Sequence, residues 1–281
     1  MQKAMKKYFP IFVLPTAIAF IVGHFVPFVM ALYLSFCSFT TVNDAKFVGF
    51  SNYVKAFSDA TFLHSMLFTT VFTVVTVILI NVFAFLIALG LTSKIRGITI
   101  FRTVFFMPNL IGGIVLGYIW QLLLNGILAH WQRTLTYSSV YGFWGLVILL
   151  CWQQIGYMMI IYIAGIQNIS GEMLEAAQVD GANWHQRLFS IIIPSMRPSI
   201  VICTFLTVTN GFKLFDQNLA LTAGEPSRGT EMVALNIYNT FYGSSSAYRG
   251  VGQAKAVVFA IILTIIGLAQ LKIQTGKEVK K

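Results

Sequence analysis

Charged residues are scarce in this chain. Only 10% of its 281 residues are charged, whereas 57% are hydrophobic and the mean hydropathy is +0.77. Soluble domains carry about a quarter charged residues, so the composition excludes an ordinary soluble domain and indicates a membrane protein. Cysteine is scarce too. Cys37, Cys151 and Cys203 lie far apart and form no CxxC pair, so we expect no metal or redox chemistry.

The sequence also lacks the patterns of an enzyme. It contains no GxxxxGK[ST] loop that could cradle nucleotide phosphates. Its four histidines, His24, His64, His130 and His185, are scattered over separate segments and form no ligand set. A membrane-embedded enzyme would need clustered acids, histidines or metal ligands. We therefore expect no catalytic site, no metal site and no cofactor on this chain.

Long apolar runs make up most of the sequence. A membrane-spanning helix needs about 20 predominantly apolar residues, and six stretches qualify: residues 11–36, 66–92, 99–124, 143–166, 198–222 and 251–271. The first is too long for a signal peptide and no small-residue cleavage site follows it closely, so we interpret it as a retained span. No repeat or linker divides the chain. The sequence predicts an all-α, polytopic membrane protein with a single domain, residues 1–281.

The net charge of +10 reflects topology rather than nucleic-acid binding. If the N-terminus is inside, twelve of the 19 Lys and Arg residues lie on the inner side, five lie outside, and Lys213 and Lys255 lie in or beside spans. The inner set is Lys3, Lys6, Lys7, Lys94, Arg96, Arg102, Arg187, Arg197, Lys272, Lys277, Lys280 and Lys281. This bias predicts cytoplasmic N- and C-termini. Nucleic-acid binding would need a basic patch on a folded face, and the sequence shows none.

A polar island at residues 170–197 separates the fourth and fifth predicted spans. Ser170 can cap a helix whose first turn carries Glu172, which is favourable at the positive end of the helix dipole. Asp180 and Gly181 form a turn signal, and the glycine can adopt the left-handed conformation that ends helices. A short helix is therefore expected before Gly181.

The second half of the island has its own start and stop signals. Asn183, with Gln186 three residues later, matches a capping box, and Pro194 interrupts regular hydrogen bonding before the next span. In the first half, the small side chains of Ala176 and Ala177 would let a helix lie deep in a groove of another protein. We interpret the island as a docking surface; the alternative is a solvated amphipathic loop between spans.

Glycines and tryptophans mark the third predicted span. Gly113 and Gly117 are four residues apart on one helical face, which allows a neighbouring helix to approach closely. Trp120, Trp131 and Trp144 flank the outer side and are typical of anchors at the membrane interface. Ordinary helix packing explains this pattern better than a substrate-binding role.

Several motifs resemble those of permeases of binding-protein-dependent ATP-binding-cassette importers. The run Glu175-Ala176-Ala177, with Gly181 after three intervening residues and then Ile191–Pro194, is similar to the cytoplasmic loop of that family. Residues 212–216 and 221–226 are similar to the "FKxFD…LTgGGP" stretch of its oligosaccharide-type sugar permeases. Phe47–Tyr53 is similar to their external segment.

This sequence departs from the family pattern in three places. Ile193 replaces the usual leucine before proline, a conservative change. Ala223 and Glu225 replace two glycines of an external triplet, which affects the expected conformation of that outer turn and its contact with a binding protein.

The resemblance implies a non-catalytic subunit in a bacterial plasma membrane, surrounded by lipid. Its partners would be a second permease subunit, two ATP-binding subunits that carry the ATP, an extracellular sugar-binding protein and a sugar substrate, with no nucleic acid. The loop at 173–194 would couple the permease to the ATPase. Its coupling residues would be Glu175, Ala176, Ala177, Asp180, Gly181 and Pro194. A self-sufficient secondary carrier or channel, acting as a homo-oligomer, is the alternative, although carriers usually show internal repeats.

The fifth predicted span is the most polar and offers a translocation path. Asn210, Lys213 and Gln217 fall on one face at helical spacing, and Phe215 and Asp216 share an adjacent face. Polar side chains at membrane depth usually face a protein interior or an aqueous cavity, and amides, carboxylates and aromatic rings suit a sugar. The alternative is a Lys213–Asp216 pair that only satisfies itself.

Overall fold

The computed structural model describes residue 9 and residues 13–92, 97–243 and 248–278, and these are mainly helical. The helices are α1 (Val13–Ser35), α2 (Ser51–Ser58), α3 (Ala60–Leu91), α4 (Ile98–Phe106), α5 (Gly113–Ala129), α6 (Ser139–Gln167), α7 (Gly171–Val179), α8 (Trp184–Ser195), α9 (Arg197–Phe212), α10 (Asp216–Leu221), α11 (Val233–Tyr242) and α12 (Arg249–Glu278). The strands β1 (Cys37–Ser38) and β2 (Lys46–Phe47) pair antiparallel, Cys37 opposite Phe47. The predicted all-α membrane class is confirmed.

Short irregular turns interrupt or join these helices. α1 and α8 contain π-helical turns at Ile21–Phe25 and Leu188–Ile192, and 3₁₀ turns occur at Val42–Asp44, Met107–Leu110 and Leu135–Tyr137. Seven basic residues used for the orientation lie outside the described residues: Lys3, Lys6, Lys7, Lys94, Arg96, Lys280 and Lys281. The cytoplasmic placement of both termini therefore stays a prediction.

Four helices are long and apolar enough to cross a membrane by themselves: Val13–Ser35, Ala60–Leu91, Ser139–Gln167 and Arg249–Gln270. Two further stretches are helix pairs bent by 101° and 66°, at residues 98–129 and 184–212 respectively. If each bent pair is one span, the chain has up to six spans. The exact count of six is thus not confirmed.

The third and fifth predicted spans are not continuous helices. The helix expected over 99–124 breaks at Ile111–Gly112, directly after a 3₁₀ turn that contains Pro108. Proline removes a backbone donor and disfavours a regular helix. The helix expected over 198–222 ends at Phe212, and α10 begins only at Asp216. A carboxylate is favourable in the first turn of that new helix.

The described residues divide into two compact units, which lie within the ranges 1–62 with 237–262 and 63–236 with 263–281. The single domain expected over the whole chain stays a prediction. In the first unit, the buried amide of Asn52 donates to the carbonyls of Ser35 (2.9 Å) and Cys37 (2.8 Å). Nζ of the buried Lys255 lies 2.6 Å from Asp59 Oδ2. This ion pair explains how the chain accommodates a lysine at the edge of a span.

In the second unit, α6 is the central helix. In the most apolar stretch of α6, 61% of the residues are buried, compared with 28% in the corresponding stretch of α3. Its side chains form a core with those of α3, α5 and α9; the largest buried members include Phe72, Ile80, Leu116, Leu149, Met158 and Tyr162. Because α6 lies inside, the polar side chains that it carries must find partners on neighbouring helices.

Two glycines let α5 and α10 approach closely. A Cβ on Gly113 would lie 2.8 Å from Asp216 Cβ, and one on Gly117 would lie 2.6 Å from Ala220 Cβ. Both distances are shorter than side chains tolerate, so only glycine fits. The packing role predicted for these two residues is confirmed.

Candidate functional site

The first half of the polar island forms the expected helix and ends at the predicted glycine, but without the predicted cap. Ser170 occupies the position before α7, but its side chain makes no capping hydrogen bond. At the other end Gly181 has a φ of 77°. The amide of Gly181 donates to the carbonyl of Gln178 (3.1 Å) and that of Ala182 to Ala177 (2.9 Å). These two bonds define a Schellman motif, which requires a left-handed residue after the helix.

The second helix of the island begins with the predicted capping box. The amide of Gln186 donates to Asn183 Oδ1, and the amide of Asn183 donates to Gln186 Oε1, both at 2.8 Å. α8 ends at Ser195, one residue after Pro194, and the chain bends by 66° into α9 around the buried Met196. The loop is therefore a preformed pair of helices rather than a flexible connection.

The surface of this loop combines apolar and acidic side chains. Met173, Val179, Trp184 and Phe189 are 44%, 87%, 52% and 65% exposed. Glu172, Glu175, Ala176 and Asp180 are also exposed, while Ala177 is half-buried. Apolar side chains exposed on a hydrogen-bonded scaffold are typical of protein docking surfaces.

A second candidate site forms where the two broken helices meet. Nε2 of Gln153, a buried residue of α6, donates to the carbonyl of Ile111 (3.2 Å) at the break between α4 and α5. Nε2 of Gln217 donates to Gln153 Oε1 (2.8 Å) from the start of α10. One glutamine thus connects both helix breaks.

The next residue of α6 extends this connection. Asn210 Nδ2 donates to Gln154 Oε1 at 3.2 Å. We call the set Gln153, Gln154, Asn210 and Gln217, with the Ile111 carbonyl, the polar belt. Sequence analysis identified Asn210 and Gln217 and missed the two glutamines. Their signal was visible, because two adjacent amides lie in the middle of an apolar run.

The remaining path candidates lie at the break after α9. Lys213 and Asp216 are exposed and Phe215 is half-buried. Lys213 and Asp216, both within the described residues, form no ion pair with each other, so the alternative of a self-satisfied Lys213–Asp216 pair is wrong. Because the helix ends at Phe212, the prediction that Asn210, Lys213 and Gln217 share one helical face is wrong.

A second polar group, also missed by sequence analysis, joins α3, α6 and α9. Tyr162 Oη donates to Asn81 Oδ1 at 2.6 Å, and Asn81 Nδ2 donates to Thr207 Oγ1 at 3.1 Å. These bonds connect α3, α6 and α9. Buried polar groups need hydrogen-bond partners, and here amide side chains provide them between neighbouring helices of the bundle.

The turn after α10 contains the family departures. Buried Asn218 holds it by donating to the carbonyl of Thr230 (2.8 Å) and accepting from the amide of Met232 (3.0 Å). Ala223 has a φ of 50°, a conformation that suits glycine better. Glu225 Oε2 accepts from the amide of Ser227 (2.9 Å). The turn keeps a left-handed residue at 223 although the glycine is missing.

Among the residues that the structure describes, no three His, Cys, Asp or Glu side chains are placed to hold a metal ion. The chemistry available is hydrogen bonding by amides and hydroxyls, one exposed lysine and one exposed carboxylate. These groups can bind a polar, hydroxyl-bearing molecule reversibly.

Several relatives match nearly the whole chain. The probable starch degradation products transport system permease protein AmyD of Thermoanaerobacterium thermosulfurigenes is 39% identical over 96% of this chain and 94% of its own. The multiple sugar-binding transport system permease protein MsmF of Streptococcus mutans is 31% identical over 99% of each chain. These identities extend over all the predicted spans and the loop.

Solved structures share the fold at low identity. A chain of a bacterial ABC transporter that imports the acidic polysaccharide alginate matches with a TM-score of 0.81, 18% identity, and coverage of 100% of this chain and 99% of that chain. The alginate transporter in complex with a pentasaccharide-bound periplasmic protein gives 0.79, covering 96% and 95%. The family described as binding-protein-dependent transport system inner membrane component matches residues 96–274. The chain therefore belongs to this family of membrane transport components.

Proposed function

We propose that this chain is the permease subunit of an ATP-driven importer for a sugar or oligosaccharide. It forms half of the translocation pathway with a second permease subunit. The energy comes from two ATPase subunits that dock on the loop at 173–194, and a binding protein outside the membrane delivers the sugar. Both termini are cytoplasmic. The names of the relatives, which refer to starch degradation products and multiple sugars, support the substrate class.

The observation that carries this proposal is the preformed loop between α6 and α9. The end of α7 and the start of α8 are capped, by backbone and by side-chain hydrogen bonds respectively. A rigid element transmits a displacement, whereas a flexible loop would absorb it. The exposed Val179, Trp184 and Phe189 supply apolar contact area, and Glu175 supplies a carboxylate for a basic partner residue.

The helix breaks support the proposed path. Non-helical backbone at membrane depth is tolerated only where it is buried in protein or lines a water-filled cavity. Residues 213–215 form such a break, with Lys213 exposed and Gln217 hydrogen-bonded beside it. We propose that Asn210, Lys213, Phe215, Asp216 and Gln217 face the sugar at one stage of transport.

Co-purification tests the subunit assignment. The tagged chain is extracted from native membranes in detergent and the proteins that accompany it are identified by mass spectrometry. A second permease and an ATPase subunit are expected, together with uptake in liposomes that depends on ATP. Recovery of the chain alone, in a form that transports along an ion gradient without ATP, would instead establish a self-sufficient carrier or channel.

Substitution of Asn210 tests the path. If its amide binds the sugar, Asn210→Ala loses a hydrogen bond worth about 1 kcal/mol, which raises the sugar concentration for half-maximal uptake about fivefold. The control is Thr70→Ala, because Thr70 is exposed and its hydroxyl bonds only to Met66 of its own helix. Unchanged concentration dependence and rate in Asn210→Ala would remove this residue from the path.

A further inference from the structure

An apolar groove lies where α5 ends and α6 begins. The turn between them is fixed by Leu135, which is 2% exposed and whose amide donates to Asn125 Oδ1 (2.8 Å). Gly145 makes room for it, since a Cβ there would lie 2.7 Å from Leu135 Cδ2. The groove has a volume of about 410 Å³ and is lined by Leu124, Ile127, Leu128, Val140, Trp144 and Ile148 among others. It is preformed and within the size range of ligand pockets, roughly 300–1,000 Å³.

The groove continues into a cationic mouth. A second cavity of about 410 Å³, lined by Leu128, Trp131, Arg133 and Tyr141, shares two of these residues with the groove. The Arg133 guanidinium lies 4.9 Å from the ring centroid of Tyr137 and 5.8 Å from that of Tyr141. Its Nη1 also donates to the Tyr141 hydroxyl. Two tyrosine rings therefore hold the guanidinium in place beside the open end of the groove.

No carboxylate of the described chain neutralises this cation. Arg133 forms no ion pair with any described carboxylate, and the sequence contains no Asp or Glu between residues 60 and 171. The aromatic neighbours leave the remaining guanidinium N–H groups available, and Arg is well suited to phosphate because its donors form a planar fork. The mouth of the groove thus favours an anion.

We propose that this groove binds an anionic phospholipid, with an acyl chain in the apolar part and the phosphate at Arg133. Along the site, aliphatic side chains are followed by Trp and Tyr side chains and then by the Arg133 guanidinium. The same sequence of apolar, aromatic and charged groups is favoured on going from the bilayer core to the lipid headgroups. Ile127, Val140 and Trp144 are 59%, 64% and 49% exposed on apolar helices, so the acyl chain can enter sideways. A sugar would find almost no hydrogen-bonding groups inside the groove.

Quenching of the fluorescence of Trp131 and Trp144, the two tryptophans that line the site, tests the proposal. The chain, with the subunits that accompany it, is placed in nanodiscs of phosphatidylcholine that contain a few per cent of lipid brominated on the acyl chain. In a variant that keeps Trp131 and Trp144 and carries phenylalanine at Trp120, Trp152 and Trp184, brominated phosphatidylglycerol should quench at a severalfold lower mole fraction than brominated phosphatidylcholine. Arg133→Gln should abolish that difference, whereas Arg228→Gln, a change at another exposed arginine, should preserve it.

Native mass spectrometry of the wild-type assembly keeps the proposal testable if the tryptophan variant fails to fold. One phosphatidylglycerol molecule should remain bound to wild type and to Arg228→Gln, and should be lost from Arg133→Gln. Equal quenching by the two lipids would show only the general lipid annulus and would overturn the proposal. Retention of the lipid by Arg133→Gln, or a groove covered by another subunit that admits no lipid, would also overturn it.

Discussion

The loop at residues 170–197 and the polar belt differ in how far apart along the sequence their hydrogen-bonding partners lie. In the loop, Gly181, Ala182 and Gln186 bond to groups no more than five residues away. In the belt, the hydrogen bonds of Gln153 join residues 42 and 64 positions apart. The loop is a local structure that presents a surface, whereas the belt exists only because separate helices meet.

We infer from this difference that the loop and the belt have separate roles, the loop in contact with a partner and the belt in stability and transport. A surface loop can change its contacts with a partner without altering the bundle, and its exposed side chains carry little of the fold. The belt serves both the stability of the bundle and the proposed path. Its amides form hydrogen bonds at the breaks in the helices, and the same breaks belong to the proposed path. Substitutions in the belt should therefore change stability and transport together, and those in the loop should change coupling alone.

The largest effect is expected at Gly156 of α6, one turn from Gln153. A Cβ there would lie 1.7 Å from the Phe105 carbonyl oxygen, so Gly156→Ala must push α4 away. Overpacking costs about 1–3 kcal/mol and occasionally more, and we expect the upper end, measured as the midpoint of SDS unfolding. The control is Gly126→Ala, which meets nothing within 4 Å. Equal midpoints for the two variants would contradict the close contact.

A smaller loss is expected for Gln153→Met. Methionine keeps the side-chain length but removes the bonds to the Ile111 carbonyl and Gln217. Hydrogen bonds between membrane helices average about 0.6 kcal/mol, so two are worth about 1 kcal/mol, and uptake should fall in parallel. Gln167→Met, at the exposed end of the same helix, should leave the unfolding midpoint unchanged. A Gln153→Met protein with an unchanged unfolding midpoint and normal uptake would show that the belt contributes neither to stability nor to transport.

Gly181→Ala tests whether the loop is local. A left-handed conformation costs a non-glycine residue about 1–2 kcal/mol, and Gly181 has a φ of 77° with open space around it. Hydrogen exchange should accelerate at the amide of Ala182, which bonds to Ala177, while the unfolding midpoint stays constant. Gly171→Ala, with no positive φ, is the control. Faster exchange in α6 would show that the loop and the bundle are coupled more tightly than we infer.

The smallest effect, of opposite sign, is expected at the turn after α10. Ala223 has a φ of 50°, so Ala223→Gly relieves backbone strain and should raise the unfolding midpoint by an amount equivalent to less than about 1 kcal/mol. The comparison is Ala164→Gly on α6, where glycine should cost about 1 kcal/mol of helix stability. A lower midpoint for Ala223→Gly would mean that the turn tolerates alanine without strain.

Sequence reasoning succeeded where the partners are close along the chain. The Gly181 turn and the Asn183–Gln186 capping box follow rules that span three to five residues. The break at 213–215 was missed because both sides remain apolar enough to be one span. The break is stabilised by the packing of Asp216 against Gly113 and by the hydrogen bond from Gln217 to Gln153. Local helix propensity does not depend on contacts between residues so far apart in the sequence.

Lys255 illustrates the same limit in the other unit. Its position at the edge of a span is clear from the sequence, but its partner Asp59 lies 196 residues away. Burial raises the pKa of the Asp59 carboxyl, yet hydrogen bonds from Lys255 and Thr61 outweigh this and hold that pKa below its usual value. A sequence pattern identifies such a lysine as unusual without identifying the group that accommodates it.

The coupling ratio of Glu175→Ala tests the central claim most directly. Sugar uptake and ATP hydrolysis are measured in the same proteoliposomes that contain the complete assembly. A lost charge-assisted hydrogen bond is worth about 1.5–3 kcal/mol, so sugar transported per ATP should fall about tenfold or more. The sugar concentration for half-maximal uptake and the unfolding midpoint should stay constant, because Glu175 is exposed and takes part in none of the hydrogen bonds of the belt. A normal ratio would contradict the assignment of the loop as the element that couples ATP hydrolysis to transport.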